Sequence, residues 1–540
     1  MQPDAPVPYT YQPPSGCSGA WSKVVLEADV STAVSTNAPL TIWLGGVNLF
    51  LGHLINSVTT TTGASWHVER DLTDYAGLLR HGGQGQASIE TGAGSGMTQL
   101  NARLLFYPAS ATVPASTAAD AVYPVGSDPN GSITYLKVGQ SLSATLSLPH
   151  NVERAYLDIV ALNWTIDTDA WYSCAPEPYY STFLKQSSMV TEECDTGNFR
   201  EVEVAIDGQP AGVAPAFPWV ANGTGVGWLI NEYNFEFGSL PQNHQLDAIP
   251  ERIDLTPFAG LLSDGATHEV IVSVAGNSVP SDSSFVYPYL TLANLLVYRD
   301  PGTQQITGQI TRNDLVGNPP NPVVSSTLAR DAQGTVSGNL VTTSNRHYVI
   351  EGYIDGSLGR LRTQVEHTIN FVDTQQYLLE HTADINTDQA SLTLQSTDAG
   401  ISRTYKGALL LRENIENLSY PLHVSAREDS LYHQTHQFRQ DFAKQLVRRE
   451  LGQPVYSASA GNFIGYYYTW ANPTQPMFNS LQLSTFTDSL GSCYDSLLNT
   501  NNGTLTTWTN GTTCPNQQNN VYWNSHPDGS PDNLGWIPYP

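Results

Sequence analysis

The chain has 540 residues, 23 Lys plus Arg against 49 Asp plus Glu, and a formal charge of −26, which argues against nucleic acid and anionic membranes as partners. Only 13% of residues are charged, while Gly (44), Pro (34) and Tyr (27) are abundant, the profile of a secreted all-β protein rather than a helical one. No apolar run is long enough to span a bilayer as a helix, and so acidic a chain keeps its net charge small at low pH, which fits an acid-adapted exoprotein.

In chain order, the opening "MQPDAPVPYTYQPPSG" reads as a mature or trimmed N-terminus whose leader has been removed, so the expected location is secreted or periplasmic. Residues 15–108 read as a first β unit. Its "DLTDYAGLL" (Asp71–Leu79) recurs as "DLTPFAGLL" (Asp254–Leu262), and its "ARLLFY" (Ala102–Tyr107) recurs as "ANLLVY" (Ala293–Tyr298). Upstream, "TIWLGG" (Thr41–Gly46) and "VAIDG" (Val204–Gly208) are both strands running into a glycine turn. Three landmarks in the same order predict one β unit used twice. Residues 109–135, rich in Ser, Ala, Thr and Pro, are a linker or long loop, and 136–300 form the second unit with long loops, where function usually sits. Residues 301–540 carry short alternating runs such as "HYVIEGYID" and read as a C-terminal β-rich domain. In both repeats Asp-x-Thr predicts a turn capped by the Asp side chain, at Asp71 and Asp254.

The cysteines are Cys17, Cys174, Cys194, Cys493 and Cys514. Their spacing suggests two local bridges, Cys174–Cys194 and Cys493–Cys514, with Cys17 left over. No Cys-x-x-Cys occurs, and the "HQTH" of His433–His436 lacks a completing carboxylate motif, so neither a metal site nor a cofactor is expected.

Several stretches together resemble the glycoamidase A family, the acid-active peptide-N-glycosidases, here of bacterial type. They are "WSKVVLEADV" (Trp21–Val30), "IWLGGVNL" (Ile42–Leu49), "WHVERDLTDYAGLL" (Trp66–Leu79), "DAWYS" (Asp169–Ser173), "FREVEVAIDG" (Phe199–Gly208), "FPWV" (Phe217–Val220), "IDLTPFAGLLSDG" (Ile253–Gly265) and "GSCYDSLL" (Gly491–Leu498). The resemblance implies a metal-free amidohydrolase that releases whole N-glycans from glycopeptides and glycoproteins, turning the glycosylated Asn into Asp. It also implies two tandem jelly-roll-like β-sandwiches packed side by side, ahead of the C-terminal β domain, and a monomer is expected. A non-catalytic glycan-binding sandwich and a glycoside hydrolase stay open as alternatives. The chain departs from the family where Asn37 falls at the position of a first-unit Asp: either the loop shifts, or another residue, Asp29 or Glu90, replaces that carboxylate.

Amide hydrolysis in mild acid needs activated water, a proton donor for the leaving nitrogen and donors for the oxyanion. Asp169 matches the family's carboxylate before its Trp-Tyr pair, and Asp167, Asp169 and Trp171 alternate, so an extended segment puts them on one face, a carboxylate-and-Trp grouping common in sugar sites that makes Asp167 and Trp171 candidate substrate contacts. Two turn carboxylates and a structural Trp remain the plain alternative. Glu193 and Asp195 flank Cys194, and a bridge from Cys174 would bring them close to Asp169; a solvated acidic loop is the alternative. Glu201, within the family's Phe-Arg-Glu-Val string, lies on a strand whose Val202, Val204 and Ile206 alternate with Glu201, Glu203 and Asp207. Arg200 is its expected ion-pair partner, and a structural role for the pair is equally open. Glu90 matches a carboxylate of the more distant glycoamidase F by its spacing to the next strand. Trp164, Trp219 and Trp228 are candidate sugar or peptide platforms, or buried sandwich tryptophans.

Overall fold

The computed structural model describes residues 6–17, 19–32, 39–53, 64–89, 98–163, 171–185, 187, 197–218, 248–277, 289–302, 304–381, 386–429, 433–470, 477–502, 504–522, 525–528, 530 and 532. The architecture is all-β, as the composition predicts. The first unit contains β1 (Val7–Tyr11), β2 (Trp21–Thr32), β3 (Pro39–Leu44), β4 (Val47–His53), β5 (Ala64–Asp71), the helical turn α1 (Ala76–Leu79), β6 (Gly83–Ile89) and β7 (Thr98–Pro108). Two short strands follow, β8 (Ala121–Val125) and β9 (Thr134–Leu136). The second unit contains β10 (Ser141–Ser147), β11 (Val152–Asn163), β12 (Arg200–Ile206), β13 (Gln209–Pro215), β14 (Glu251–Asp254), the helical turn α2 (Ala259–Leu262), β15 (Thr267–Gly276) and β16 (Tyr289–Arg299).

The repeat read from three short strings is a repeat of topology. The first unit pairs its strands in the orders β1-β6-β3-β4 and β5-β2-β7, and the second in the orders β10-β15-β12-β13 and β14-β11-β16, matching strand for strand. In both units the two sheets close over an apolar core: Val24, Leu26, Ile42, Trp66 and Val68 in the first, Leu157, Val202, Val204, Ile253 and Val272 in the second. β8 extends the second unit's sheet by pairing with β16, and β9 pairs with β16 as well.

Local detail repeats too. The β3–β4 hairpin turns through Gly45-Gly46 and the β12–β13 hairpin through Asp207-Gly208, all four residues at positive φ, as type I′ hairpin turns require. Each hairpin shifts register two residues before its turn begins, between Ile42 and Trp43 and between Val204 and Ala205. The Oδ1 of Asp71 accepts from the amide of Thr73 at 2.8 Å, and that of Asp254 from the amide of Thr256 at 2.9 Å, so both predicted side-chain turns form.

The C-terminal region is one antiparallel sheet rather than a set of short strands. β17 (Thr307–Asn313), β18 (Val323–Ser326) and β19 (Ala329–Arg330) all pair with β20 (Val336–Gly356). From β20 the chain meanders through β21 (Gly359–His381), β22 (Asn386–Lys406), β23 (Leu409–Asp429), β24 (Gln434–Glu450), β25 (Gln453–Trp470), β26 (Met477–Asp488), β27 (Cys493–Asn501) and β28 (Thr504–Asn510). Polar residues interrupt the apolar alternation often enough that the sequence suggests short runs, but β21 is continuous over 23 residues. Tyr348, Ile350, Leu361 and Ile369 join the second unit's core, while Phe371, Tyr377, Tyr420 and Phe438 pack with Trp171, Phe199, Phe217 and Tyr289. The Cys493–Cys514 bridge forms as predicted (S–S 2.01 Å).

The two units meet through a polar and an apolar junction. Tyr75 donates to Asp158 at 2.9 Å, and Arg252 donates to Asp158 at 2.6 Å and pairs with Asp74. Burial alone would raise the Asp74 carboxyl, but the guanidinium of Arg252 overrides it and holds the carboxyl below the ordinary range. Beside them Trp43 and Leu51 of the first unit pack with Leu162 and Leu290 of the second.

The repeat also fixes two glycines. Gly77 and Gly260 are equivalent in the two Ala-Gly-Leu-Leu turns, and a Cβ on either would run into backbone, at the Ala119 carbonyl and at Gly308 respectively. Gly260→Ala is expected to cost about 1–3 kcal/mol in chemical denaturation, the usual range for overpacking against groups that cannot move aside. A change below about 0.5 kcal/mol would show that the β17 backbone yields.

Candidate active site

The second unit gathers its strand ends. β11 ends at Asn163, opposite the start of β16 at Tyr289; β12 begins at Arg200, opposite Gly276 at the end of β15; and Pro215 at the end of β13 lies opposite Glu201. Antiparallel pairing therefore puts the chain leaving β11, β13 and β15, and the chain entering β12, β14 and β16, at one end of the sandwich. The first unit, wound the same way, has Thr32, Ala64 and Thr98 in register at its matching end. At the junction the Ala248 amide, just before β14, donates to Leu51 O near the end of β4 at 2.8 Å. The corresponding ends of the two units thus adjoin.

Most sequence-predicted site residues belong to segments anchored there. Trp164, Asp167 and Asp169 fall between β11 and Trp171; Glu193, Cys194 and Asp195 precede β12; Trp219 and Trp228 follow β13; Glu90 follows β6. All of them lie outside the described residues. Cys174 is disulfide-bonded, and Cys194 is the partner the sequence predicts for it.

The described candidates are Glu201, Arg200, Trp171 and Asp29, the last on β2 and hydrogen-bonded to His67 Nδ1 at 2.7 Å. On β12, Val202, Val204 and Ile206 face the sandwich core, which turns Glu201 and Glu203 toward the C-terminal sheet. Glu201 is only 2% exposed and pairs with Arg346 of β20, whose guanidinium also reaches Glu203 at 3.5 Å. The carboxylate-bearing face of β12 is therefore covered by another sheet at Glu201, while Glu203 keeps a side-chain exposure of 35%. Burial pushes the Glu201 carboxyl up to about 8; Arg346 opposes the rise and Glu203 adds to it.

Arg200, the cation expected beside Glu201, is buried and donates to the carbonyls of Gly197 and Phe199, each at 2.8 Å. Its guanidinium lies 5.5 Å from the ring centre of Trp171. Trp171, expected as a sugar platform, is 1% exposed and stacks on Phe371 at 6.4 Å, so its faces are taken up by protein.

Beneath these residues lies a polar cluster that sequence reasoning missed. Asn198 donates to Asp373 at 2.6 Å and accepts from the Thr342 hydroxyl at 2.7 Å. Gln375 donates to Asp373 at 3.2 Å and to the carbonyls of Tyr172 and Cys174, each at 3.1 Å. Asp373 is wholly buried with its Oδ1 unpartnered, and burial pushes its carboxyl up to about 8 against its two amide donors. The C-terminal sheet thus grips both described flanks, 171–174 and 197–201, of the segments that carry the candidate carboxylates.

The family described as peptide N-acetyl-β-D-glucosaminyl asparaginase amidase A matches residues 3–315, a span that holds both sandwich units. No curated protein matches the chain. Among solved structures, a recombinant peptide:N-glycanase F is similar at 14% identity with a TM-score of 0.36, over 54% of this chain and 89% of its own. A peptide-N(4)-(N-acetyl-β-D-glucosaminyl)asparagine amidase is similar at 15% identity with a TM-score of 0.34, over 55% of this chain and 91% of its own.

The raised Glu201 carboxyl has a consequence for stability. An acid whose folded-state pKa lies above its unfolded value keeps its proton longer in the fold, so its contribution is full below the ordinary value of 4.5 and is lost as pH rises toward about 8. The melting temperature should therefore fall between pH 5 and pH 8, and Glu201→Gln should flatten that slope. Equal slopes for parent and variant would show that Glu201 is ionised throughout, held by Arg346.

Proposed function

The chain belongs to the peptide N-acetyl-β-D-glucosaminyl asparaginase amidase A family, and on that footing we propose that it releases intact N-glycans from glycopeptides and glycoproteins by hydrolysing the side-chain amide of the glycosylated Asn. The products are Asp and a glycosylamine. The observation that carries the reading is the family match across both sandwich units, the part of the chain in which the candidate carboxylates lie.

The reaction takes place at the shared strand-end face, with Asp169 as the leading carboxylate. It either activates water or protonates the leaving nitrogen, and Glu193 or Asp195 supplies the complementary step. Glu201 acts from below: buried and paired with Arg346, it fixes the β12 end from which the 188–196 segment departs. Glu90 is the first unit's contribution across the junction. Trp164, Trp219 and Trp228 offer apolar faces to sugar rings or peptide, a part that Trp171 leaves to them because its own ring is buried. The optimum lies in acid, where a neutral donor and an ionised base coexist among several carboxylates.

A purified glycopeptide incubated across pH should yield free glycan and a peptide carrying Asp in place of Asn. A peptide that retains its Asn and one sugar would mean glycosidic cleavage instead. Asp169→Asn should lower the rate by about 10²–10⁴-fold with unchanged melting, the cost of losing a positioned acid or base. Glu351→Gln, an equal loss of charge in the C-terminal sheet, should leave the rate near the parent's. Near-parental activity in Asp169→Asn would pass the leading role to Glu193, Asp195 or Glu90.

A further inference from the structure

The outer face of the first unit's β5-β2-β7 sheet carries a cluster that the proposed reaction does not use. β2 and β5 pair so that Glu27 stands directly opposite Glu69, and Asp29 directly opposite His67. Like charges facing each other across an antiparallel pair are destabilising and favour a cation between them. Arg103 of β7, opposite Glu27 on the far side, pairs with it while its own side chain is largely exposed.

His67 is 1% exposed, and its two ring nitrogens are in different situations. Nδ1 is hydrogen-bonded to Asp29 at 2.7 Å. Nε2 makes no hydrogen bond and stands 3.5 Å from Glu69 Oε1. Glu27, His67 and Glu69 each offer a ligand atom within 4.8 Å of the other two. In a tetrahedral zinc site, with bonds of about 2.0–2.2 Å, neighbouring ligand atoms lie about 3.3–3.5 Å apart, which the His67–Glu69 separation already meets.

We propose that Glu27, His67 through Nε2, and Glu69 bind a divalent cation of the zinc class, with Asp29 orienting the imidazole from its other nitrogen. A carboxylate on the remote ring nitrogen is the usual partner of a metal-bound histidine, and it fixes the tautomer that leaves Nε2 free to ligate. The C-terminal segment covers the site: Asp532 accepts from the His67 backbone amide at 3.1 Å, and the His526 ring lies 6.0 Å from that of His67. The expectation of no metal site rests only on ligands near one another in the chain, and the resemblance to a metal-free hydrolase concerns the reaction rather than this face. These ligands come from two strands about forty residues apart and become neighbours only through strand register.

The test is metal binding by the full chain, stripped with chelator and dialysed at neutral pH. It should take up a single equivalent of Zn²⁺ with a rise in melting temperature, and Co²⁺ in its place should show the visible absorption of a tetrahedral nitrogen–oxygen site. Glu69→Gln should weaken Zn²⁺ binding at least tenfold. Asp29→Asn, which does not touch the ion, should weaken it by about 10–100-fold. His433→Ala, at a histidine paired with Asp429 elsewhere, should bind as the parent does. Substoichiometric Zn²⁺ in the parent, or parental affinity in both the Glu69 and Asp29 variants, would overturn the proposal. Equal competition by Ca²⁺ would also overturn it, because an imidazole ligand favours zinc over calcium.

Discussion

A carboxylate buried on a β-strand needs a cation or a proton, and much of this architecture follows from how Glu201 is provided for. β12 presents apolar residues to its own sandwich and carboxylates to the opposite side. That side could have faced water. Instead the C-terminal sheet lies over it and brings Arg346, so two parts of the chain 145 residues apart are joined at one buried guanidinium–carboxyl hydrogen bond. Breaking such a pair by removing one partner commonly costs about 3–5 kcal/mol, because the other charge stays buried. The C-terminal sheet is therefore part of the second unit's structure rather than an appendage. It also carries the Asp373–Gln375 cluster that holds the flanks of the candidate site.

The duplicated units were legible in the sequence because turns are written locally. Asp71 and Asp254 cap their own backbone two residues on, the glycine hairpins need positive φ, and both features leave short strings that recur. The polar side of the interface was not legible, because its partners are set by register between distant strands. Arg346 has no local feature that points to Glu201. Asp373 and Gln375 did carry a signal: they occupy inward positions between Phe371 and Tyr377 on β21. Two polar residues inside an apolar alternation are a mark of a buried network. The same limit applies to Trp171, whose sequence context cannot distinguish an exposed sugar platform from a ring closed under Phe371.

Buried carboxyls with raised affinity for protons suit a chain with this charge. At neutral pH a formal charge of −26 repels itself, and protonation in acid relieves that strain. Glu201 and Asp373 add a specific term in the same direction, since the fold holds both as acids up to about 8. Asp74 works the other way: Arg252 holds it ionised, so its contribution is lost only when pH falls through its lowered folded-state value. The fold therefore gains from acid at the interface with the C-terminal sheet and loses at the junction between the units only at still lower pH.

The two copies of the repeated hairpin explain why the units are not interchangeable. Aligned on their turns and their matching register shifts, Pro39, Thr41 and Trp43 of β3 correspond to Glu201, Glu203 and Ala205 of β12. Both triplets point away from their own core. In the first unit Trp43 meets Leu162 and Leu290, so that outer face is the surface on which the second unit docks. In the second unit the equivalent face holds carboxylates and meets a sheet that brings a guanidinium. One backbone thus serves two kinds of partner, and the difference lies in the alternate residues of a single strand. The apolar version joins the units and sets their strand ends side by side. The charged version anchors the C-terminal sheet beneath the ends of the second unit, where most of the candidate carboxylates are attached.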